Sequence, residues 1–530
     1  MSRLNLTVLF VVVAAGQAGL NAQNVIMQRN DLSRTGVNPA ETTLTVATVN
    51  STSFGKLFSL PVDGQVYAQP LYLANVAIPG QGVHNVVYIV TEHDSVYAFD
   101  ADNGSQSAPL WHVSLGTSIL CANIPWCHGD LIPEIGITST PVIDPVNMIV
   151  YVVAETIASP STTGTPKFAL HALSATTGAE KYSGPVTISG SAAGTGSDSV
   201  NGKIAFNPLY HLQRPALLLL NGTVYISFGA HSDVPTWHGW LFGYDQKSLR
   251  EVSIRCLSPD GSFGGDGVWQ AGVGPAADAN ANIYVVTGNG DLTTPSGGHS
   301  YGQSVVKLNS MNLAPTDYFS PSNAVVTSFN DLDLGSGGPL LIPGTSLILA
   351  GGKTGTIYVI DTTQMGGFNS TGDQIVEEWQ ASGNLLFSGR IYYNSTLYLW
   401  PTNDYLRGYT YVGGTTPFVT KPAVESTEAV AYGYSNEPAI SLSANGTNPG
   451  TAIIWAAYSQ SGASNGGDYP GVLQAFDAST LEEIWGSEMN SGRDYPGSWS
   501  KWSPPTIANG KVYLATFDDL VDVYGLLPTQ

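Results

Sequence analysis

Positive charge, cysteine and long apolar runs are all scarce in this 530-residue chain, and each scarcity removes a class of function. Only 19 Lys and Arg stand against 40 Asp and Glu, for a net charge of -21. Such a surface repels polyanions, which excludes nucleic acid and anionic membranes as partners and leaves a neutral or apolar target. Three cysteines leave one unpaired; Cys121 and Cys127 flank a short loop and are expected to pair in an oxidising compartment. Cys256, in a strand-like stretch, reads as a buried thiol rather than a nucleophile. The apolar run 4–15 is shorter than the roughly 20 residues of a membrane span. Other runs, such as 216–220 and 224–228, are broken by Asn221-Gly222 and read as strands. Phosphate-binding loops, dinucleotide fingerprints, nucleophile elbows and His-Glu-x-x-His are absent, so nucleotide and hydrolase chemistry find no support.

The short apolar run fits an export signal over residues 1–22: Arg3, the run itself, then small residues up to Ala22. The mature chain, 23–530, is expected to be secreted or luminal. Six Asn-x-Ser/Thr sites follow, at Asn50, Asn103, Asn221, Asn369, Asn394 and Asn445, and are candidate glycosylation sites.

What the chain has in quantity is glycine (60), proline (32) and a recurring blade ending. Residues 475–485 read Ala-Phe-Asp-Ala-Ser-Thr-Leu-Glu-Glu-Ile-Trp, and 172–182 read Ala-Leu-Ser-Ala-Thr-Thr-Gly-Ala-Glu-Lys-Tyr. A looser copy covers 98–111. Each follows a β-branched and aromatic run, so strand, turn, strand ending near Asp, turn and aromatic strand make one four-stranded sheet. Repeated sheets of this kind predict an all-β, eight-bladed antiparallel β-propeller. Its blades share one core, which overrules a division by length into several domains. The third strands are expected at 96–100, 168–174, 240–245, 304–308, 356–361, 406–411, 473–477 and 521–524. The last lacks a successor, and the run 54–62 fits that vacancy, closing the ring and removing exposed edges.

In this topology the turns between second and third strands emerge at the same end as the blade-to-blade connections. They converge on one funnel mouth, where function is normally grafted. The turns offer His93, Asp94, His231, Trp237, Asn289 and Lys353; the connections offer Trp126, Glu134, Trp269, Asp331, Asp333, Arg390, Lys501 and Trp502. His93, His231, Lys353, Arg390 and Lys501 are candidate proton or hydrogen-bond donors. Glu134 is either an acid of raised pKa, a cation ligand or a turn cap. With Asp94 and Glu134, the tryptophans Trp237, Trp269 and Trp502 would form the substrate-binding set. No metal is expected: His231 and His238 match no zinc spacing, and Asp331-Leu-Asp333 lacks the oxygen density of a calcium loop.

The blade motifs resemble the tryptophan-docking repeats of quinoproteins, propellers that hold pyrroloquinoline quinone. Nearly the whole mature chain is similar to secreted PQQ-like proteins of acidobacteria and fungi. The matching stretches are 63–72 (Asp-Gly-Gln-Val-Tyr-Ala-Gln-Pro-Leu-Tyr), 91–100, 133–144, 335–338 and 505–513. For the alcohol dehydrogenases of that group the resemblance implies PQQ with calcium. This sequence departs from them: Cys121 and Cys127 are not vicinal, and no CxxCH haem attachment is present. A second branch, fungal hetero-Diels–Alderases, resembles it in overall character and implies a cyclase. The expectation is cofactor-free turnover of small apolar or aromatic molecules in the funnel, a hetero-Diels–Alder-type cyclisation in fungal secondary metabolism. A PQQ/calcium dehydrogenase of alcohols or sugars and a non-catalytic binding propeller are the alternatives. The sequence leaves oligomeric state open.

Overall fold

The computed structural model describes residues 24–528, except 105–107, 125–126, 128, 159–164, 234–235, 388, 432 and 464–466. The expected export signal and Trp126 lie outside the described residues.

Eight antiparallel blades of four strands follow one another along the chain, as expected, and three of these sheets gain a short fifth strand. Blade 1 comprises Leu71–Ile78, Gly82–Val90, Ser95–Asp100 and Trp111–Ser114. Blades 2 to 7 begin at Val142, Leu218, Ala276, Leu340, Ile391 and Ala439. Blade 8 holds Thr506–Ala508, Lys511–Ala515 and Leu520–Leu526, and its fourth strand is Phe54–Pro61, antiparallel to the last. The second and third strands are buried on both faces, which is why they read as continuous apolar runs and not as alternation. Their side chains fill apolar cores shared between neighbouring blades; one such core runs from Phe54 and Trp485 to Tyr524.

A tyrosine in the second strand locks each of five blades to the next. Tyr88, Tyr151, Tyr225, Tyr398 and Tyr513 donate their hydroxyls to the carbonyls of Ala175, Gln246, Ser310, Ala478 and Ala101, all in or beside the turn after a neighbour's third strand. The blade-ending aromatic does the same: Trp111 Nε1 donates to Ala175 O at 3.0 Å. Its ring lies on Gly178 (φ +69°), where a Cβ would come within 2.6 Å of Trp111 Cε3. That turn therefore needs glycine for both its left-handed backbone and its bare surface.

A segment without periodicity ties the ring together. Residues 25–38 reach the inner side of all eight blades, at or beside their first strands. Val25 pairs with Tyr72 in blade 1, and Ile26 O accepts from Ile143 N in blade 2. Arg34 Nη2 reaches Leu217 O at blade 3. The carbonyls of Leu32, Ser33, Thr35 and Gly36 accept from Ala277, Leu341, Tyr392 and Leu442 in blades 4 to 7. Asn38 Nδ2 donates to Ile507 O in blade 8 at 2.7 Å. Arg29 and Arg34 are buried within this thread and satisfied by backbone carbonyls, so burial lowers their pKa to about 9 and about 10.

Candidate functional site

The second-to-third turns and the blade connections do converge, and between them lies a cavity of about 350 Å³. Five of the ten residues singled out by sequence line it: Trp237, Trp269, Lys353, Lys501 and Trp502.

One wall is aromatic. Phe387 stacks on Trp502 with centroids 4.8 Å apart and planes 20° apart, and Trp269 lies 5.8 Å from Trp502 and 6.1 Å from Phe387. Tyr434 meets Phe387 edge-on at 5.9 Å. Backbone conformations that side chains rarely adopt set these rings: Trp502 has φ +62°, and Gln270 and Ala271, directly after Trp269, both have φ +45°. The Gln270 side chain holds that kink, donating to Val273 O and accepting from Val286 N. Trp502 Nε1 donates to Ser435 O at 3.1 Å. Gly288 permits the close approach behind Trp269, since a Cβ there would stand 2.4 Å from Asp333 Oδ1 and 3.2 Å from Trp269 Nε1.

Three cations ring the aromatics. Arg214 lies over Trp502 at 4.9 Å and over Tyr67 at 5.2 Å, and Nη2 donates to Lys501 O. Lys353 Nζ sits 2.8 Å from Asp331 Oδ1, 2.7 Å from Asp333 Oδ2 and 5.8 Å from the Trp269 centroid. Burial acts to lower its pKa, but the two carboxylates outweigh that and hold Lys353 charged, above its ordinary value. Asn289 completes the cluster, its backbone N–H bound to Asp333 and Nδ2 to Asp331. Lys501 differs. Its Nζ lies 4.5 Å from the Trp502 centroid, and among the described residues no carboxylate is within ion-pair distance. Burial first, then repulsion from Arg214, pushes its pKa down to about 8 against the pull of Asp130.

The other predicted residues lie elsewhere. His93 is half exposed at the rim, with Nδ1 3.0 Å from both Glu134 oxygens, and Ser118 also donates to Glu134. Burial opposes charging of His93, yet the Glu134 carboxylate outweighs it and raises the imidazole pKa. Asp94 and His231 are buried beside Glu92 and Glu155 without reaching the cavity; His231 Nε2 is 3.8 Å from Glu155. Arg390 is a structural group: its guanidinium donates to Gly338 O and Gly351 O, and its own carbonyl accepts from Arg29. It points into the blade rather than the funnel. Arg214, Asp130, Phe387 and Tyr434 line the cavity and were not singled out, because each is a solitary loop residue with no motif around it.

Cys121 and Cys127 form a disulfide, and Cys256 is a buried thiol whose pKa burial raises to about 12. All six Asn-x-Ser/Thr asparagines are at least partly exposed. A quinone–calcium pair fits this set poorly. Neither cysteine lines the cavity, so no disulfide faces the aromatic wall. Asp331 and Asp333 already hold the Lys353 ammonium, and Asn289 Oδ1 accepts from Gln303. Among the described residues no group of three His, Cys, Asp or Glu is arranged for a metal.

No protein-family model matches the sequence, and no curated protein matches it. Solved structures do match in shape. A quinohemoprotein alcohol dehydrogenase of Pseudomonas putida superposes with a TM-score of 0.60 at 13% identity, over 96% of this chain and 81% of that one. A europium-containing methanol dehydrogenase superposes with a TM-score of 0.59 at 12% identity, over 96% of this chain and 99% of its own. At such identities the likeness is one of architecture alone: this chain is an eight-bladed β-propeller.

Proposed function

We propose that this protein binds planar, conjugated small molecules in its funnel and turns them over without a redox cofactor, by a cyclisation of hetero-Diels–Alder type. The observation that carries this reading is the Trp269–Phe387–Trp502 wall with Arg214 and Lys501 against it, in a cavity the size of a small ligand. A cycloaddition needs two unsaturated partners held in reactive orientation, and such preorganisation supplies about 7–11 kcal/mol in the best cases. The aromatic faces orient flat partners. Lys501 or Arg214, donating to a heterodiene carbonyl, stabilises the charge that develops there. Lys353 is committed to its carboxylates and shapes the cavity's electrostatics. The paired Cys121–Cys127 and the exposed Asn-x-Ser/Thr sites support a secreted or luminal, glycosylated product.

The shared architecture with two dehydrogenases is the observation favouring a quinone-dependent alternative. One experiment separates the readings: purified protein is given a heterodiene precursor and a polyene, and in parallel PQQ, calcium, a redox dye and a panel of alcohols and sugars. Stereoselective cycloadduct formed faster than in buffer supports the cyclase. Dye reduction dependent on PQQ and calcium, with racemic cycloadduct at the buffer rate, overturns it. Saturable binding with no product in either arm leaves a binding propeller.

A further inference from the structure

We infer that Lys501 is a nucleophilic amine that forms a covalent imine with conjugated aldehydes entering the funnel. This rests on the cavity reading above and names its substrate class.

Two lysines line the cavity, and their surroundings assign them different work. Lys353 is clamped between Asp331 and Asp333 at 2.8 and 2.7 Å, so its lone pair is tied up by a proton. Lys501 is as buried, at 5% exposure, but has no carboxylate at ion-pair distance among the described residues. The charges acting on it are the cations Arg214 and Lys353, which favour the free amine, and Asp130, which pulls the other way more weakly than burial and Arg214 push. A desolvated lysine beside another cation is the arrangement that frees an amine at neutral pH. The burial and repulsion that lower its pKa act in the same direction. The backbone fixes it: Ser500 Oγ donates to Val66 O at 2.6 Å, Lys501 O accepts from Arg214, and the next residue has φ +62°. Elsewhere Lys56 and Lys511 pair with Asp522 and Asp102, and Lys307 donates to Thr362 O. Lysines 167, 181, 203, 247 and 421 are on the surface.

The step balances without a further reactant. The Nζ lone pair attacks the aldehyde carbon, the C=O π pair moves to oxygen, and proton transfer gives a carbinolamine. Loss of its hydroxyl as water, with the second N–H proton, leaves R–CH=N–Lys501. Protonation of that nitrogen draws electron density from the conjugated chain lying on Trp502, which activates it towards cycloaddition. Hydrolysis returns the amine. No electron is gained or lost.

The test uses cinnamaldehyde, with cinnamyl alcohol as the partner that cannot form an imine. The full chain is incubated with the aldehyde, reduced with sodium cyanoborohydride and mapped by mass spectrometry. One adduct on the Lys501 peptide is expected, at least tenfold above any surface lysine at pH 7.5. Its pH profile should have a midpoint near 8, about 2 units below an ordinary lysine. Lys501→Arg and Lys501→Met should lose the adduct, and the wild type should bind the alcohol, read as quenched tryptophan fluorescence. Labelling spread evenly over surface lysines, or a wild-type midpoint near 10, overturns the proposal whether or not a variant folds. Alcohol binding without aldehyde trapping sinks the imine alone. No binding of either compound sinks the cavity reading with it.

Discussion

Lys353 Nζ lies 2.7 Å from Asp333 Oδ2, and Asp333 is buried while the second partner, Asp331, reaches solvent. The ammonium is therefore the internal counter-ion of one carboxylate that cannot be hydrated. Lys353→Met leaves Asp333 charged and unpaired, and breaking a buried pair in this way costs about 3–5 kcal/mol. Chemical denaturation at pH 7 should show that loss. Part of it should return at pH 5, where Asp333, whose pKa burial already raises, takes up a proton. Added calcium should stabilise the variant and not the wild type; equal response in both would show that Lys353 does not occupy a cation's place.

Trp502 is where the wall and the cations meet. Phe387, Arg214 and Lys501 all contact its ring. Trp502→Ala removes a stacking face and a cation–π seat, each worth about 1 kcal/mol. Affinity for a planar conjugated ligand, followed by calorimetry, should fall by about 10- to 100-fold. A change below twofold would place binding elsewhere.

Glu92, Asp94 and Glu155 are buried together behind the cavity wall, and several of their oxygens lack partners. Burial raises the Glu92 pKa to about 8 against hydrogen bonds from Gly136 and Thr138, and Asp94 and Glu155 shift the same way. A carboxyl with a raised folded-state pKa binds its proton more tightly in the native than in the unfolded chain. Between the unfolded pKa, near 4.5, and about 8 the native state holds more protons, so stability falls as pH rises through that window. Wild-type Tm should drop by several degrees from pH 5 to pH 8, and Glu92→Gln should flatten that slope. A slope unchanged by the substitution would show Glu92 to be ionised already at pH 5.

Arg34 is fully buried in the N-terminal thread and donates to Pro275 O at 3.0 Å, Gln28 O at 2.6 Å and Leu217 O at 3.5 Å. Arg34→Ala orphans those carbonyls and opens a void, with an expected cost of about 3–5 kcal/mol. Hydrogen exchange should rise first in the thread and the first strands of blades 3 and 4. Exchange unaltered there would mean the thread is not what ties those strands.

The blade repeat was legible because it is made of local signals: turn residues at fixed offsets, β-branched runs and a terminal aromatic. Closure by Phe54–Pro61 followed from counting strands. The tyrosines of the second strands were visible in sequence, but a hydroxyl that bonds a turn in the next blade leaves no trace in spacing. The thread at 25–38 was missed since most of its bonds use its own backbone, whatever the side chain, and the two side chains that reach blades 3 and 8, Arg34 and Asn38, stand in no motif. Topology brought Trp237, Trp269, Lys353, Lys501 and Trp502 to the right end. It could not say which way Arg390 turns, and a rotation of one side chain separates a funnel donor from a buried strut.

The most direct measurement is a crystal structure with a planar conjugated aldehyde bound, after borohydride reduction. The account predicts density against the Phe387–Trp502 wall, its former carbonyl carbon bonded to Lys501 Nζ. Density at the His93–Glu134 rim, or an empty cavity under saturating ligand, would contradict it.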